Sequence, residues 1–408
     1  MSRKLAHGAF CANNGIFEFA ARRIATATAT ATLTQRTFSS TARQNKEMVY
    51  FSKASTPELE AVLAEIRHKI ILPGYLPKVQ RKKIHAKKYE KALQSDPITI
   101  EIDSEVFKFR YQSPFVGIPN SVKSLFRALA LFDTPQDFNN LRPLIQGLNV
   151  ANRKLKVDKI AKLTRIVGEK GQIYRVIELA RSVKHTGFKL DHSEKVTEIL
   201  HHVQMKAVES DWDPEQTAQA LRWAEMVVEM LEEEDHQPSS SAIPDESLQG
   251  MLPLHRDPMV LLSPLHLAAA LALKQDAEVD PDLVSKIAKY ATKLVVLWDE
   301  GKALRQTQPE ALFAPKGTLE YIAEPNKFVK LAAPWLYGLD TAIKVLQSYP
   351  QHEELVTKLQ TRRDILAAEV QKDKENSLYK GQDAWQKVFE RKAAEESEQE
   401  AEVEEESK

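Results

Sequence analysis

Cysteine is almost absent from this chain: 408 residues carry one, Cys11. A lone thiol near one end excludes a disulfide framework, a cysteine-ligated zinc site, an iron–sulfur cluster and a cysteine nucleophile in the body of the protein. Glycine is scarce as well, at thirteen residues, most of them isolated. They assemble neither a phosphate-cradling loop nor a dinucleotide fingerprint, and Gly-x-Ser-x-Gly and His-Glu-x-x-His motifs are also missing. The longest apolar run, residues 259–273, is interrupted by Ser263, Pro264 and His266 and falls short of the ~20 residues needed to span a bilayer. No excess of either charge is present, since 57 Lys and Arg balance 57 Asp and Glu. These absences lead us to expect a non-catalytic protein without cofactor, metal or integral membrane span.

Acidic residues are nearly missing from the N-terminal segment, and that scarcity is informative. Residues 1–46 contain Arg3, Lys4, Arg22, Arg23, Arg36, Arg43 and Lys46 against the single acid Glu18, with an Ala-Thr tract over 25–32. A basic, potentially amphipathic segment of this kind is drawn to anionic lipid and membrane potential, and it has too few apolar residues for a core of its own. It reads as a mitochondrial transit peptide over residues 1–45. Arg36 two residues before Phe38, followed by Ser39, Ser40 and Thr41, resembles fungal two-step matrix processing, so the expected compartment is the mitochondrial matrix. About 360 residues then remain, enough for two domains or one long helical array.

Apolar residues recur mostly at helical spacing, so the fold class is mainly α. The expected order is a basic helical arm with a β-hairpin over 46–118, helical repeats over 119–235, a linker over 236–258, a second helical region over 259–375 and an acidic tail over 376–408. Within the arm, a helix is predicted over 57–71 with Ser55 or Thr56 as its cap. A turn-rich break over 72–77 and a basic helix over 79–93 follow. Period-two alternation over 97–102 and 106–111 predicts two strands joined at Asp103-Ser104. In the second region, helices are predicted over 264–274, 280–298, 325–348 and 353–372. His201-His202 and His192 lack a third ligand and read as hydrogen-bonded or exposed histidines, and Glu194 and Glu198 read as ordinary surface acids one helical turn apart. Trp212 and Trp223, eleven residues apart, fall on one side of a helix and are expected in the core.

The sharpest internal pattern spans residues 158–191. Ile160, Leu163, Ile166 and Val167 form one apolar stripe, and Ile173, Val176, Ile177, Ala180 and Val183 form another beyond Gly168-Glu169-Lys170-Gly171. Neither helix can bury its stripe alone, so the unit expects neighbours. With Leu163, Gly171, Leu179, Val183 and the closing segment Gly187-Phe188-Lys189-Leu190-Asp191, the frame resembles the pentatricopeptide repeat, a helical hairpin that stacks into an α-solenoid. The segment Lys154-Leu155-Lys156-Val157-Asp158 repeats that closing pattern thirty-three residues earlier. It predicts a preceding unit over 120–157 with Leu125, Phe138, Leu141 and Ile145 inside, although Asp133 stands at its turn-glycine position. A third unit is predicted over 192–233, with Ile199, Leu200, Val203, Ala220, Leu221 and Val227 buried. The resemblance implies organellar RNA work, either one base per repeat or as a ribosome-bound protein. Ala161 or Lys162 occupies the base-reading position, which points to phosphate neutralisation rather than coded readout.

Charge is strongly segregated along the chain. One basic cluster, containing Lys82, Lys83 and Lys87, lies in the arm; a second, containing Lys154, Lys156, Lys159, Lys162, Arg165, Lys170 and Arg175, lies in the repeats; residues 191–235 are acid-rich. These ten side chains are the candidate RNA contacts. The expected function is mitochondrial gene expression through RNA and/or the mitochondrial ribosome, with protein partners on residues 259–375. Two alternatives stay open: a respiratory-complex assembly factor, and a structural subunit of the mitochondrial ribosome. Reversing Lys159, Lys162, Arg165 and Lys170 to Glu is expected to abolish retention on RNA in low salt, measured by filter binding, with helix content unchanged.

Overall fold

The computed structural model describes residues 48–102, 105–238, 251–274 and 280–390. The transit segment, the Asp103-Ser104 turn, most of the linker and the Glu-rich end of the acidic tail lie outside these residues. The described part is mainly helical, built from successive helical hairpins with one two-stranded antiparallel sheet near its N-terminal end.

Helix α1 (Pro57–Ile66) begins where Thr56 Oγ1 accepts the Leu59 N–H at 3.3 Å and Pro57 fills the first turn. Leu59, Val62, Leu63 and Ile66 are its buried face. The break expected from residue 72 is displaced. A wide π turn (Arg67–Ile71) and a further α turn (Leu72–Tyr75) carry the helix on, and it stops only at Leu76-Pro77. Pro73 brings no N–H to the continuing helix, and the Lys69 carbonyl one turn earlier has Gln112 Nε2 at 3.5 Å instead. The basic helix predicted as one piece is also divided, into α2 (Lys78–His85) and a second helical turn (Glu90–Ser95) on either side of extended Ala86. On a straight helix Ile84 and Leu93, nine residues apart, would point in opposite directions. The bend lets both reach one small core with Met48, Leu72, Leu76 and Phe109. Strands β1 (Ile98–Ile102) and β2 (Glu105–Phe109) supply Phe109 to that core, in the register Ile98 to Phe109 and Ile100 to Phe107.

The arm is locked to the repeats by a buried carboxylate. Asp137 Oδ2 accepts from Ser55 Oγ at 2.7 Å and Thr134 Oγ1 at 2.9 Å, while its Oδ1 accepts the Ser55 N–H at 2.9 Å. Burial alone would raise its pKa, but these hydrogen bonds overrule it and hold the carboxyl well below the usual range. Asn140, also buried, binds Ser52 through both its amide oxygen and its amide nitrogen.

Three helical hairpins follow. Helices α3 (Ser121–Leu131) and α4 (Leu141–Val150) bury Leu125, Leu141 and Ile145, and Phe138 packs with them from the tight turn before α4. Helices α5 (Val157–Glu169) and α6 (Ile173–Arg181) bury the two predicted stripes, with Ile166 alone half-buried and Val183 buried in a separate turn just after α6. Gly171, at φ 70°, closes α5: its N–H donates to the Gly168 carbonyl, and that of Gln172 donates to the Val167 carbonyl. Helices α7 (Ser193–Glu209) and α8 (Pro214–Met230) run seventeen residues each. Trp212 lies between them with a left-handed φ of 60°, so it does not share a helix face with Trp223. It is nevertheless buried and stacks on Tyr337 with ring centroids 4.8 Å apart.

Beyond the linker, α9 starts at Asp257-Pro258 rather than at Pro264. Asp257 accepts the Met259 N–H at 2.9 Å, and Pro264 is enclosed within the helix Pro258–Leu273. Helices α10 (Pro281–Leu297), α11 (Pro325–Gln347) and α12 (Glu353–Lys374) match their predicted positions. The acidic tail expected from residue 376 opens with a packed helix, α13 (Tyr379–Trp385), whose extension carries Val388 and Phe389 into the core. One continuous apolar cluster includes Val49 from the arm, the hairpin stripes and α9 to α12.

Helices α5 and α7 touch at Gly168, where an added Cβ would stand 2.3 Å from Cγ of the His202 ring. Gly168→Val is therefore expected to destabilise the fold by about 1–3 kcal/mol through overpacking, read as a lower urea midpoint with an unchanged m value.

Candidate nucleic-acid interface

The ten candidate cations divide into two groups. Lys82 and Lys83 stand exposed on the last turn of α2, and Lys87 stands exposed just beyond Ala86. None of the three has an ion pair among the described residues. Arg81 belongs to the scaffold instead: its guanidinium donates to the Gly74 and Leu76 carbonyls at 3.2 Å each and secures the end of the α1 extension. In the repeats, Lys154 and Lys156 are exposed in the connection entering α5, and exposed Lys162 lies 4.7 Å from the centre of the Phe126 ring.

The other four candidates are engaged within the chain. Lys159 Nζ lies 2.7 Å from Asp158, an exposed pair of the kind worth at most about 1 kcal/mol and readily exchanged for phosphate. Arg165 Nη1 donates to Glu198 at 3.0 Å. Lys170 Nζ donates to the Phe132 carbonyl. Arg175 donates to Glu178 at 3.1 Å and Asn139 at 2.8 Å, beside Arg142 in a cleft of about 480 Å³. The four-residue reversal expected to spare helix content therefore includes two side chains the fold uses: Arg165→Glu would press a second carboxylate against Glu198, and Lys170→Glu would remove the donor to the Phe132 carbonyl.

Glu198 is the residue that sequence reasoning misplaced. It is buried on α7, where Lys330 Nζ of α11 donates to its second oxygen at 2.9 Å. Burial pushes its pKa up, but Lys330 and Arg165 together outweigh burial and hold it below the ordinary glutamate value. Lys330 has only this shared carboxylate in return, so burial prevails and its pKa is lowered. Glu194 answers Lys327 at 3.2 Å one turn away, and Glu169 answers Lys380 at 3.0 Å. Glu198 with Lys330 and Arg165, Glu169 with Lys380, and Lys327 line a cleft of about 380 Å³ between α5 and α11. The four-residue spacing of Glu194 and Glu198 facing the three-residue spacing of Lys327 and Lys330 was the available signal.

The paired histidines also differ from expectation. Both are buried, and His201 Nδ1 and His202 Nε2 have no hydrogen-bond partner. Burial, reinforced by nearby Lys330, holds His201 neutral and lowers His202 to about 4. His266 on α9, its Nδ1 3.2 Å from the Gln204 amide oxygen, is lowered by burial to about 3. No group of three metal-ligating side chains occurs among the described residues.

The family model for mitochondrial ribosomal protein mS27 matches residues 36–399 of this chain. Among curated proteins, small ribosomal subunit protein mS27 of Neurospora crassa is 34% identical over 332 residues, covering 79% of this chain and 83% of the relative.

Four buried histidines, His201, His202, His236 and His266, give acid sensitivity a definite sign. Each is neutral in the folded state, whereas an unfolded histidine takes up a proton near pH 6.5, so the unfolded chain binds more protons and stability falls as pH drops below about 6.5. Asp257 acts in opposition: burial raises its carboxyl to about 6, so its contribution is present in acid and is lost as pH rises through that value. Four histidines outweigh one aspartate. Between pH 7 and 5 the urea midpoint is expected to fall, and His202→Gln is expected to make the slope shallower by up to about 1.4 kcal/mol per pH unit. A wild-type midpoint independent of pH over this range would contradict the assignment.

Proposed function

The chain belongs to the mitochondrial ribosomal protein mS27 family, and from that membership we propose that it is a non-catalytic structural subunit of the mitochondrial small ribosomal subunit, working in the matrix. The observation that carries this reading is the reach of the family match, residues 36–399, which takes in the arm, all three hairpins and every helix beyond the linker. The respiratory-complex alternative has no comparable support.

In this reading the helical hairpins are a scaffold and the exposed cations are its RNA contacts. Lys82, Lys83 and Lys87 on the arm and Lys154, Lys156 and Lys162 on the repeats neutralise ribosomal RNA phosphates, while Arg165, Lys170 and Arg175 maintain the surface that presents them. The pentatricopeptide-like frame contributes shape rather than a code. Ala161 is buried and cannot reach a base edge, and Lys162 beside it offers charge without base discrimination. A protein neighbour fits the second region at Val296, a large apolar side chain left exposed on α10.

Sedimentation of the tagged chain from lysed mitochondria tests the proposal. We expect it to comigrate with the small subunit, to stay with it when low magnesium separates the subunits, and to leave that position after ribonuclease digestion. A profile that follows a respiratory assembly intermediate and ignores ribonuclease would overturn the reading.

A further inference from the structure

The most exposed large apolar side chains among the described residues stand together on one turn. Phe115 is 94% exposed and Val116 89%. The turn is well tied: the Gly117 N–H donates to the Ser113 carbonyl at 2.9 Å, and the Gln112 N–H donates to the Ile84 carbonyl at 2.8 Å. The His85 ring Nδ1, 3.0 Å from the Gln112 carbonyl, donates to it. Ile84 and His85 end α2, so the residues that hold the turn directly follow Lys82 and Lys83 and precede Lys87 and Lys88. A protruding aromatic ring is thus fixed at the basic end of the arm.

We infer that this turn is a stacking platform for an unpaired RNA base, with the lysines at the end of α2 neutralising the phosphates on either side. Two properties of the surface have to be met by one partner: a ring almost wholly in water, and exposed lysines without ion pairs on the end of the helix that anchors its turn. Unpaired RNA places a flat apolar face within one nucleotide of each negative charge, and aromatic side chains next to basic grooves are the usual means of holding it. Double-stranded RNA keeps its bases stacked on each other and has no face to offer, so the site distinguishes unpaired from paired segments without reading sequence. The inference rests on the proposed place in the ribosomal subunit and specifies how the arm grips its RNA.

Phe115→Trp in the full chain provides the readout, with fluorescence taken as the difference from wild type because five native tryptophans contribute a background. The probes are a mixed-sequence single-stranded 20-mer RNA, the matching duplex, and heparin as a polyanion without bases. The single strand is expected to quench the added fluorescence, and the duplex and heparin are not. Phe115→Ala is expected to weaken single-strand binding by about 5- to 100-fold, while leaving duplex and heparin binding and the slope of affinity against salt unchanged. Lys82→Glu with Lys83→Glu is expected to reduce that slope by about 1 for each phosphate no longer neutralised. Single-strand binding without quenching would reduce the arm to electrostatics and overturn the platform, as would a wild-type chain that binds no RNA. If Phe115→Ala leaves RNA binding intact yet releases the chain from the small subunit on a gradient, a protein pocket covers the turn and the inference is also wrong. Wild-type sedimentation reports on the subunit assignment separately, so either reading can fail without the other.

Discussion

Helix α9 has no polar face: from Pro258 to Ala270 every residue is buried, including Ser263 and His266. A helix of that kind in water must be covered on all sides, and the arrangement of the later helices follows from that requirement. Helices α7 and α8 cover it from the repeats, α10 from the hairpin it begins, and α11 most extensively of all. Each of Leu261, Leu262, Leu265 and Leu267 contributes roughly 1.5–3 kcal/mol by leaving water. The third hairpin therefore differs from the first two. Its helices lengthen to seventeen residues because they face α9 as well as the preceding hairpin.

Apolar packing of this kind does not fix rotation or register by itself, and the polar groups at the same junction do. Gln204 receives His266 on its amide oxygen and donates to Ser263 at 2.6 Å from its amide nitrogen, so α7 and α9 meet in one orientation. Glu198, on the same helix, aligns α11 and α5 through Lys330 and Arg165. A buried carboxylate with two cations adds little net stability over apolar residues of the same shape, whereas loss of one partner is costly because a charge is left uncompensated. Specificity of assembly is the better account of it. The same logic holds at the other end of the chain, where Asp137 and Asn140 position the segment before α1 against the first hairpin.

The central hairpin was legible because its apolar period, its turn glycine and its closing segment all agree, and each is a local property. The caps at Thr56, Asn120 and Asp280 are local too and mark the helices they start. What escaped was set by partners distant in sequence. The bend at Ala86 serves a core completed by Met48 and Phe109, which no window around residue 86 contains. Trp212 keeps its burial but leaves the helix, because the turn after α7 forces a left-handed residue there and Tyr337 supplies the stacking face. The start of α9 at Asp257-Pro258 carried an ordinary capping signal that the more conspicuous Pro264 obscured.

The same distinction governs which lysines and arginines are available to a partner. Sequence marks Arg165, Lys170 and Arg175 as basic in the same way as Lys154, Lys156 and Lys162, since composition records charge and not its destination. Their partners are a glutamate on another hairpin, a backbone carbonyl with no sequence signature, and an asparagine 36 positions away. A side chain held by such partners can bind phosphate only by giving up interactions that order the helices. The exposed lysines give up little: mostly hydration, with the ring contact of Lys162 to Phe126 the exception, and counterion release offsets part of that cost. The division of labour thus follows from geometry: cations between helices set the shape of the scaffold, whereas those at its connections, on the exposed face of α5 and on the arm take little part in holding the helices together.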